Sequence, residues 1–206
     1  MSSGQLIVEP IGVEADALPR PIVWKNLFGN DHPVEIEIGI GKGTFLTDRA
    51  KANLQINFLG LEYARWYWRY ASDRLRRNGC TNARTVRAEA GYFLREFVPL
   101  DSVSILHIYF PDPWPKKRHH KRRLIQPPFL EQVQRVLTLG GRLQIVTDHQ
   151  EYFEQIQQVV TQSQLKLEEF APLNADAELA GTNFERKYRR EGRPFFALAA
   201  VNRAAI

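Results

Sequence analysis

From Val34 onward, short β-branched apolar runs alternate with longer amphipathic, charge-rich segments. The runs 34–40 (VEIEIGI), 57–63 (NFLGLEY), 83–89 (ARTVRAE), 103–110 (VSILHIYF) and 141–147 (GRLQIVT) predict strands. Two more strands are predicted at 165–170 and 195–202, and helices at 43–53, 64–78, 91–97, 127–138 and 150–163. Strand–helix–strand alternation at this spacing builds crossover units and a mostly parallel sheet, an α/β fold. The last two strands have no helical pattern between them, which permits an antiparallel strand at an edge. Residues 1–32 contain Pro10, Pro19 and Pro21 and read as an irregular lead-in, with 33–206 as one domain.

Open α/β sheets bind ligands outside the carboxyl ends of their strands. That rule selects Glu37 to Gly43, Glu62, Glu89, Pro111 to Lys116 and Thr147 to His149 as one rim. In EIGIGKG (37–43), a strand runs through Gly39, Gly41 and Gly43 into a helix, a tight turn open to close approach by a ligand. The spacing is neither the dinucleotide fingerprint nor a phosphate loop. Glu37, just before the turn, suits an ammonium group rather than a phosphate. Glu62 lies about 20 residues on, where a carboxylate accepts from both hydroxyls of a ribose. Read alone, it is equally an acid at a helix start. Glu89 ends the third strand and is either a solvated acid or an acceptor for an exocyclic amine. Some aromatics of 64–78 (Trp66, Tyr67, Trp68 and Tyr70) pack on the sheet, and its arginines face phosphates.

The block FPDPWPKKRHHKRRL (110–124) is the most distinctive segment. Its alternating prolines forbid strand extension and stiffen a loop that carries Asp112 and Trp114. Lys116, Lys117, Arg118, Lys121, Arg122 and Arg123 follow, a set able to hold phosphates beside a ring able to stack on a base. Asp148 ends the fifth strand. TNFERKYRR (182–190) sets Thr182 and Glu185 before a basic run that includes Arg186 and Lys187. This T-x-x-E is at once a helix-capping pattern and a hydroxyl–carboxylate pair able to select guanine.

Composition adds polarity to that picture. The 206 residues carry 28 lysines and arginines against 23 acids, a net charge of +5. Windows 65–87, 116–123 and 186–193 hold 18 of the 28 and only two acids, Asp73 and Glu191. Those windows sum to +16 and the rest of the chain to −11, a basic face on an acidic body that suits a phosphate backbone. A single cysteine, Cys80, excludes a disulfide framework and multi-cysteine metal sites, and no metal is expected. No apolar run reaches the roughly 18–20 residues of a membrane span, and MSSGQLIVEP lacks a signal-peptide pattern. A cytoplasmic protein, monomeric or homodimeric, is expected.

EIEIGIGKGTFL, GLEYAR, HIYFPDPWPKKRHHKRRL, VTDHQEY and TNFERKYRREGRP, in that order, resemble the bacterial tRNA (guanine-N7)-methyltransferase family over roughly residues 33–203. The resemblance implies a Rossmann-like class I methyltransferase with a seven-stranded sheet, an antiparallel last strand and helices on both faces. It implies S-adenosylmethionine as cofactor and tRNA as partner, methylated at N7 of guanine 46. Cofactor contacts then fall on Glu37, Gly39, Gly41, Glu62, Glu89 and Asp112, with Asp112 at the reaction centre. Substrate contacts fall on Lys116, Asp148, Thr182, Asn183, Phe184 and Glu185. At the third acidic position the family more often has aspartate or asparagine, one methylene shorter than Glu89. A non-catalytic RNA-binding module, or an enzyme of this fold acting on another RNA, are the alternatives.

Overall fold

A computed structural model of the chain describes residues 6–171 and 181–203. Among the described residues the sheet has eight strands, one more than expected, with helices on both sides. Residues 1–99 and 100–206 form two compact units.

In the first unit the elements are β1 (Gly12–Glu14), α1 (Trp24–Phe28), β2 (Val34–Ile38), α2 (Thr44–Ala52), β3 (Asn57–Glu62), α3 (Arg65–Arg77), β4 (Ala83–Arg87) and α4 (Ala90–Phe97). Their strands run in the order β1-β4-β3-β2, all parallel. The extra strand is β1, inside the lead-in. Three residues flanked by proline and a 3-10 turn give no alternation to read; pairing with β4 and the buried Ile11 beside it make the strand. Every residue of β2 is buried, including its two glutamates, as befits a strand covered on both faces. Arg49 Nη2 answers Glu35 at 3.3 Å, whereas Glu37 has no ion pair among the described residues. Phe58, Leu46, Ala71, Leu75 and Ala83 pack between sheet and helices. Because the strands are parallel, Glu37, Glu62 and Glu89 all lie at the same end of this unit's strands.

In the second unit the elements are β5 (Val103–Tyr109), α5 (Pro127–Val136), β6 (Leu137–Thr147), α6 (Gln150–Thr161), β7 (Lys166–Glu168), α7 (Asn183–Arg190) and β8 (Phe196–Val201). The order is β5-β6-β8-β7; β5 and β6 are parallel and β8 is antiparallel to both of its neighbours. The antiparallel strand is therefore not at the edge. The apolar FALAAV takes the interior position and the largely exposed KLE of β7 takes the edge. Strand β6 also starts four residues before its predicted bound, because Gly140 and Gly141 are absorbed at a register shift against β5. A helix, α7, occupies the connection expected to be a loop. Its sequence, NFERKYRR, has too few apolar positions to show a helical stripe.

Candidate active site

The glycine turn leaves β2 with Gly39 at φ +78° and Gly41 at φ +50°, conformations that side chains disfavour. Among the described residues a Cβ on either would meet nothing within 4 Å, so the turn presents bare backbone. Gly43 differs: a Cβ there would come within 2.9 Å of Ala71 Cβ, so this glycine serves the approach of α2 to α3. Gly41 N donates to Glu62 Oε2 at 2.9 Å, and Ala64 N to Glu62 Oε1 at 2.9 Å. Glu62 thus fixes the turn and still has a second lone pair on each oxygen.

Glu37 is buried, and its Oε2 has no hydrogen-bond partner among the described residues. Burial, reinforced by the neighbouring Glu62 charge and only partly offset by the Leu46 amide, pushes its carboxyl up to about 8. An orphaned buried carboxylate oxygen is costly unless a donor arrives to meet it. Thr44 Oγ1, at the start of α2, is likewise buried and unpartnered among the described residues. Two orphaned oxygens on either side of a bare glycine turn fit a ligand with a cationic amine and hydroxyl groups. Sequence reasoning missed Thr44, although a hydroxyl residue directly after a glycine turn is a readable signal. Glu89 is exposed and N-caps α4, accepting from Gly91 N at 2.9 Å and Tyr92 N at 2.7 Å.

In the second unit, the proline loop leaves β5 through Phe110 at φ +52° and bends again at Trp114, φ +43°. Non-glycine residues rarely hold such angles, and this strain brackets Asp112. Asp112 is exposed and takes no hydrogen bond from the described residues. Trp114 meets His119 edge-on at 5.8 Å and lies under Arg122 at 5.0 Å. Lys116, Lys117, Arg118, Lys121 and Arg122 are exposed, the last four on a 3-10 helix.

Arg123 is a correction to the phosphate-binding set. It is only 3% exposed, and its donors are spent on Pro113 O (2.8 Å), Gln155 Oε1 (2.5 Å) and Glu151 Oε1 (3.3 Å). Its guanidinium also covers the Tyr152 ring at 4.9 Å. It braces the loop from inside. Arg123→Ala is therefore expected to lower unfolding free energy by about 2–4 kcal/mol, read from denaturant midpoints. Arg122→Ala, one residue away, should leave that midpoint unchanged and instead flatten the salt dependence of polyanion binding by about one contact.

At the end of β6, Asp148 Oδ2 accepts from Arg193 Nη1 at 3.0 Å. Arg193 lies over the Tyr188 ring at 4.3 Å, and Phe110 meets Tyr188 at 5.7 Å and Phe195 at 5.8 Å, both edge-on. This clamp docks α7 on the ends of β5 and β6. No motif announces it, because Phe110 and Asp148 lie 40 or more residues before Tyr188, Arg193 and Phe195 in the chain. The capping pattern is realised: Thr182 Oγ1 accepts from Glu185 N at 3.0 Å and Glu185 Oε2 from Gly181 N at 2.9 Å. Glu185 is fully buried and its Oε1 is paired with Arg189 at 2.7 Å, so its carboxylate serves the cap. The side chains of Asn183 and Phe184 lie outside the described residues. Arg186 and Lys187 are exposed on α7.

A largely parallel α/β sheet, with a bare glycine turn between two carboxylates, matches the class I methyltransferase pattern, and the family described as "Putative methyltransferase" matches residues 31–198. The crystal structure of a 30S ribosomal A1408 methyltransferase from an uncultured bacterium shares the fold, with a TM-score of 0.63 at 20% identity over 86% of this chain and 91% of that one. A tRNA (guanine-N(7)-)-methyltransferase of Geobacillus sp. is 44% identical over 131 residues, which are 64% of this chain and 59% of the relative. One of Listeria monocytogenes is 37% identical over 181 residues, 86% of this chain and 84% of the relative. The chain belongs to the tRNA (guanine-N7)-methyltransferase family.

Proposed function

We propose that the protein transfers a methyl group from S-adenosylmethionine to N7 of guanine 46 in the variable loop of tRNA, by in-line displacement. The observation that carries this reading is the orphaned, buried Glu37 oxygen beside the open Gly39–Gly41 backbone, in a chain whose relatives bear that activity. When bound, S-adenosylmethionine supplies a methyl group activated by a sulfonium. Ionised Glu37 takes the cofactor's ammonium group, and Glu62 accepts from the ribose hydroxyls with the lone pairs the turn leaves it. Glu89, at the same strand ends, accepts from the adenine amine.

Guanine N7 offers a lone pair and carries no proton, so no general base has to precede the transfer. What remains for the protein is positioning and electrostatics. Methylation at N7 places positive charge on the base, and Asp112 supplies a carboxylate for that charge. Lys116, Asp148 and the α7 start at Thr182, Asn183 and Phe184 orient the guanine, with Glu185 holding that helix start. Lys117, Arg118, Lys121, Arg122, Arg186 and Lys187 hold phosphates, in keeping with their exposure. Among the described residues no helix is long and apolar enough to cross a membrane, and we place the reaction in the cytoplasm.

The deciding experiment is to map the methyl group. An unmodified tRNA transcript incubated with the protein and methyl-labelled S-adenosylmethionine should gain 7-methylguanosine at position 46. A transcript with adenosine at 46 should gain none. Label on another nucleotide, or undiminished label on the substituted transcript, would overturn the assignment.

A further inference from the structure

Helix α3 opens on an aromatic surface that the reaction does not use. Some of its aromatics were expected to pack on the sheet, and of Trp66, Tyr67, Trp68 and Tyr70 it is Trp68 that is buried. Trp66 is 56% exposed and Tyr67 41% exposed. Trp66 stacks on Tyr70, with centroids 5.3 Å apart and planes inclined by 22°, and meets Tyr67 edge-on at 5.0 Å. Its ring is thus held in place on one side and open on the other. The charge beside it has one sign. The helix carries five arginines and a single acid, Asp73, which is buried and paired with Arg76 and Arg77 at 2.9 Å each. Arg65, at the first position of the helix, is exposed and has no ion pair among the described residues. An apolar patch left in water calls for a partner. Where the adjoining charge is cationic and the apolar groups are flat rings, the matching chemistry is a polyanion with unstacked bases.

We propose that Trp66, backed by Tyr70 and flanked by Tyr67, is a stacking platform for an unpaired nucleotide of the tRNA substrate, with Arg65 on an adjoining phosphate. The proposal rests on the reading of the protein as a tRNA methyltransferase and adds a second RNA contact to it, outside the proline loop and α7. A helix with a polar exposed face would fold equally well here, because the residues that pack on the sheet are Trp68, Ala71, Ser72 and Leu75.

The test uses the full chain with Trp66→Leu, which keeps apolar bulk but has no ring face, alongside Trp66→Phe and Arg65→Ala. Binding of a labelled tRNA transcript is measured by anisotropy across a salt series, together with kcat and KM for methylation. Trp66→Leu should weaken tRNA binding and raise KM by about tenfold, the scale of one lost base stack, with kcat at saturating tRNA retained and the salt slope unchanged. Trp66→Phe should bind within about threefold of the parent. Arg65→Ala should lower the salt slope by about one. Equal tRNA affinity in Trp66→Leu and parent would overturn the proposal, as would equal weakening in the Phe variant. A change in sedimentation confined to Trp66→Leu with tRNA affinity intact would assign the patch to a second copy of the chain, and would equally overturn it. The parent protein reads the underlying function separately: failure of that reading appears as absent methylation in the parent, whatever the variants do.

Discussion

Glu37→Gln is expected to weaken S-adenosylmethionine binding by about a hundredfold or more while making the ligand-free protein more stable in alkali. Both effects follow from one buried carboxyl. In the unfolded chain it ionises near 4.5 and in the folded protein near 8, raised first by burial and then by Glu62. Between those values the native state holds the extra proton, so stability falls as pH rises through the window and the penalty is complete above pH 8. Glutamine removes it. The variant should melt higher than the parent at pH 9, by a few kcal/mol of unfolding free energy at most, and alike at pH 4.5. In the complex proposed above, cofactor binding reverses the preference, because a cationic amine rewards the ionised carboxylate. In the parent, affinity should climb from pH 6 towards 8 as Glu37 becomes easier to ionise, then fall as the ligand's own amine loses its proton. The variant should lose the rising limb along with about 3 kcal/mol or more of affinity, as when one partner of a buried charge pair is removed. Titration calorimetry across pH reads the affinity and thermal melts read the stability. A variant that binds within twofold of the parent would show that Glu37 does not face the cofactor.

That carboxyl illustrates what the residue order reveals and what it hides. VEIEIGI reads as a strand running into a glycine turn because apolar alternation and glycine spacing are local properties. The acid before the turn is legible for the same reason. That Glu35, two residues earlier, is answered by Arg49 while Glu37 Oε2 is left without a partner is a tertiary fact. The six basic residues of 116–123 are a sharper case. Composition makes Arg122 and Arg123 equivalent, and only packing against Pro113, Gln155 and Tyr152 turns the second inward as a brace. Likewise, the helical pattern of α3 puts some of its aromatics against the sheet without saying which. The period marks which positions share a face, but not how wide a stripe the sheet covers, and Trp66 falls outside it. The eighth strand and the Phe110–Tyr188–Phe195 clamp were beyond reach for a related reason. Three extended residues carry no alternation, and contacts between distant rings leave no spacing to read.

Asp112→Asn is expected to lower the single-turnover rate at saturating cofactor and tRNA by about 100- to 1000-fold, with cofactor affinity changed only severalfold. The substitution keeps the shape of the side chain and removes its charge. Asp112 is exposed in the ligand-free protein and takes no hydrogen bond from the described residues, so folding gains little from it and stability should be unaffected. Its backbone is nevertheless braced on both sides. Phe110 and Trp114 hold left-handed angles on either side, and Arg123 donates to the carbonyl of the very next residue, Pro113. Strain of this kind, at about 1–3 kcal/mol per residue, persists only where the surroundings over-determine it. An exposed carboxylate held this firmly by its backbone is preorganised for a charge that appears later, and electrostatic preorganisation acts most strongly on the step in which charge develops. Transfer to N7 creates a cation on the base where none existed before, so the loss should fall on the chemical step rather than on either binding step. If Asp112 instead contacts only the cofactor, the variant will show weakened cofactor binding and a nearly normal saturated rate, and the electrostatic role falls. Raising cofactor until the site is full separates the two outcomes, because saturation restores a binding defect and leaves a transition-state defect untouched.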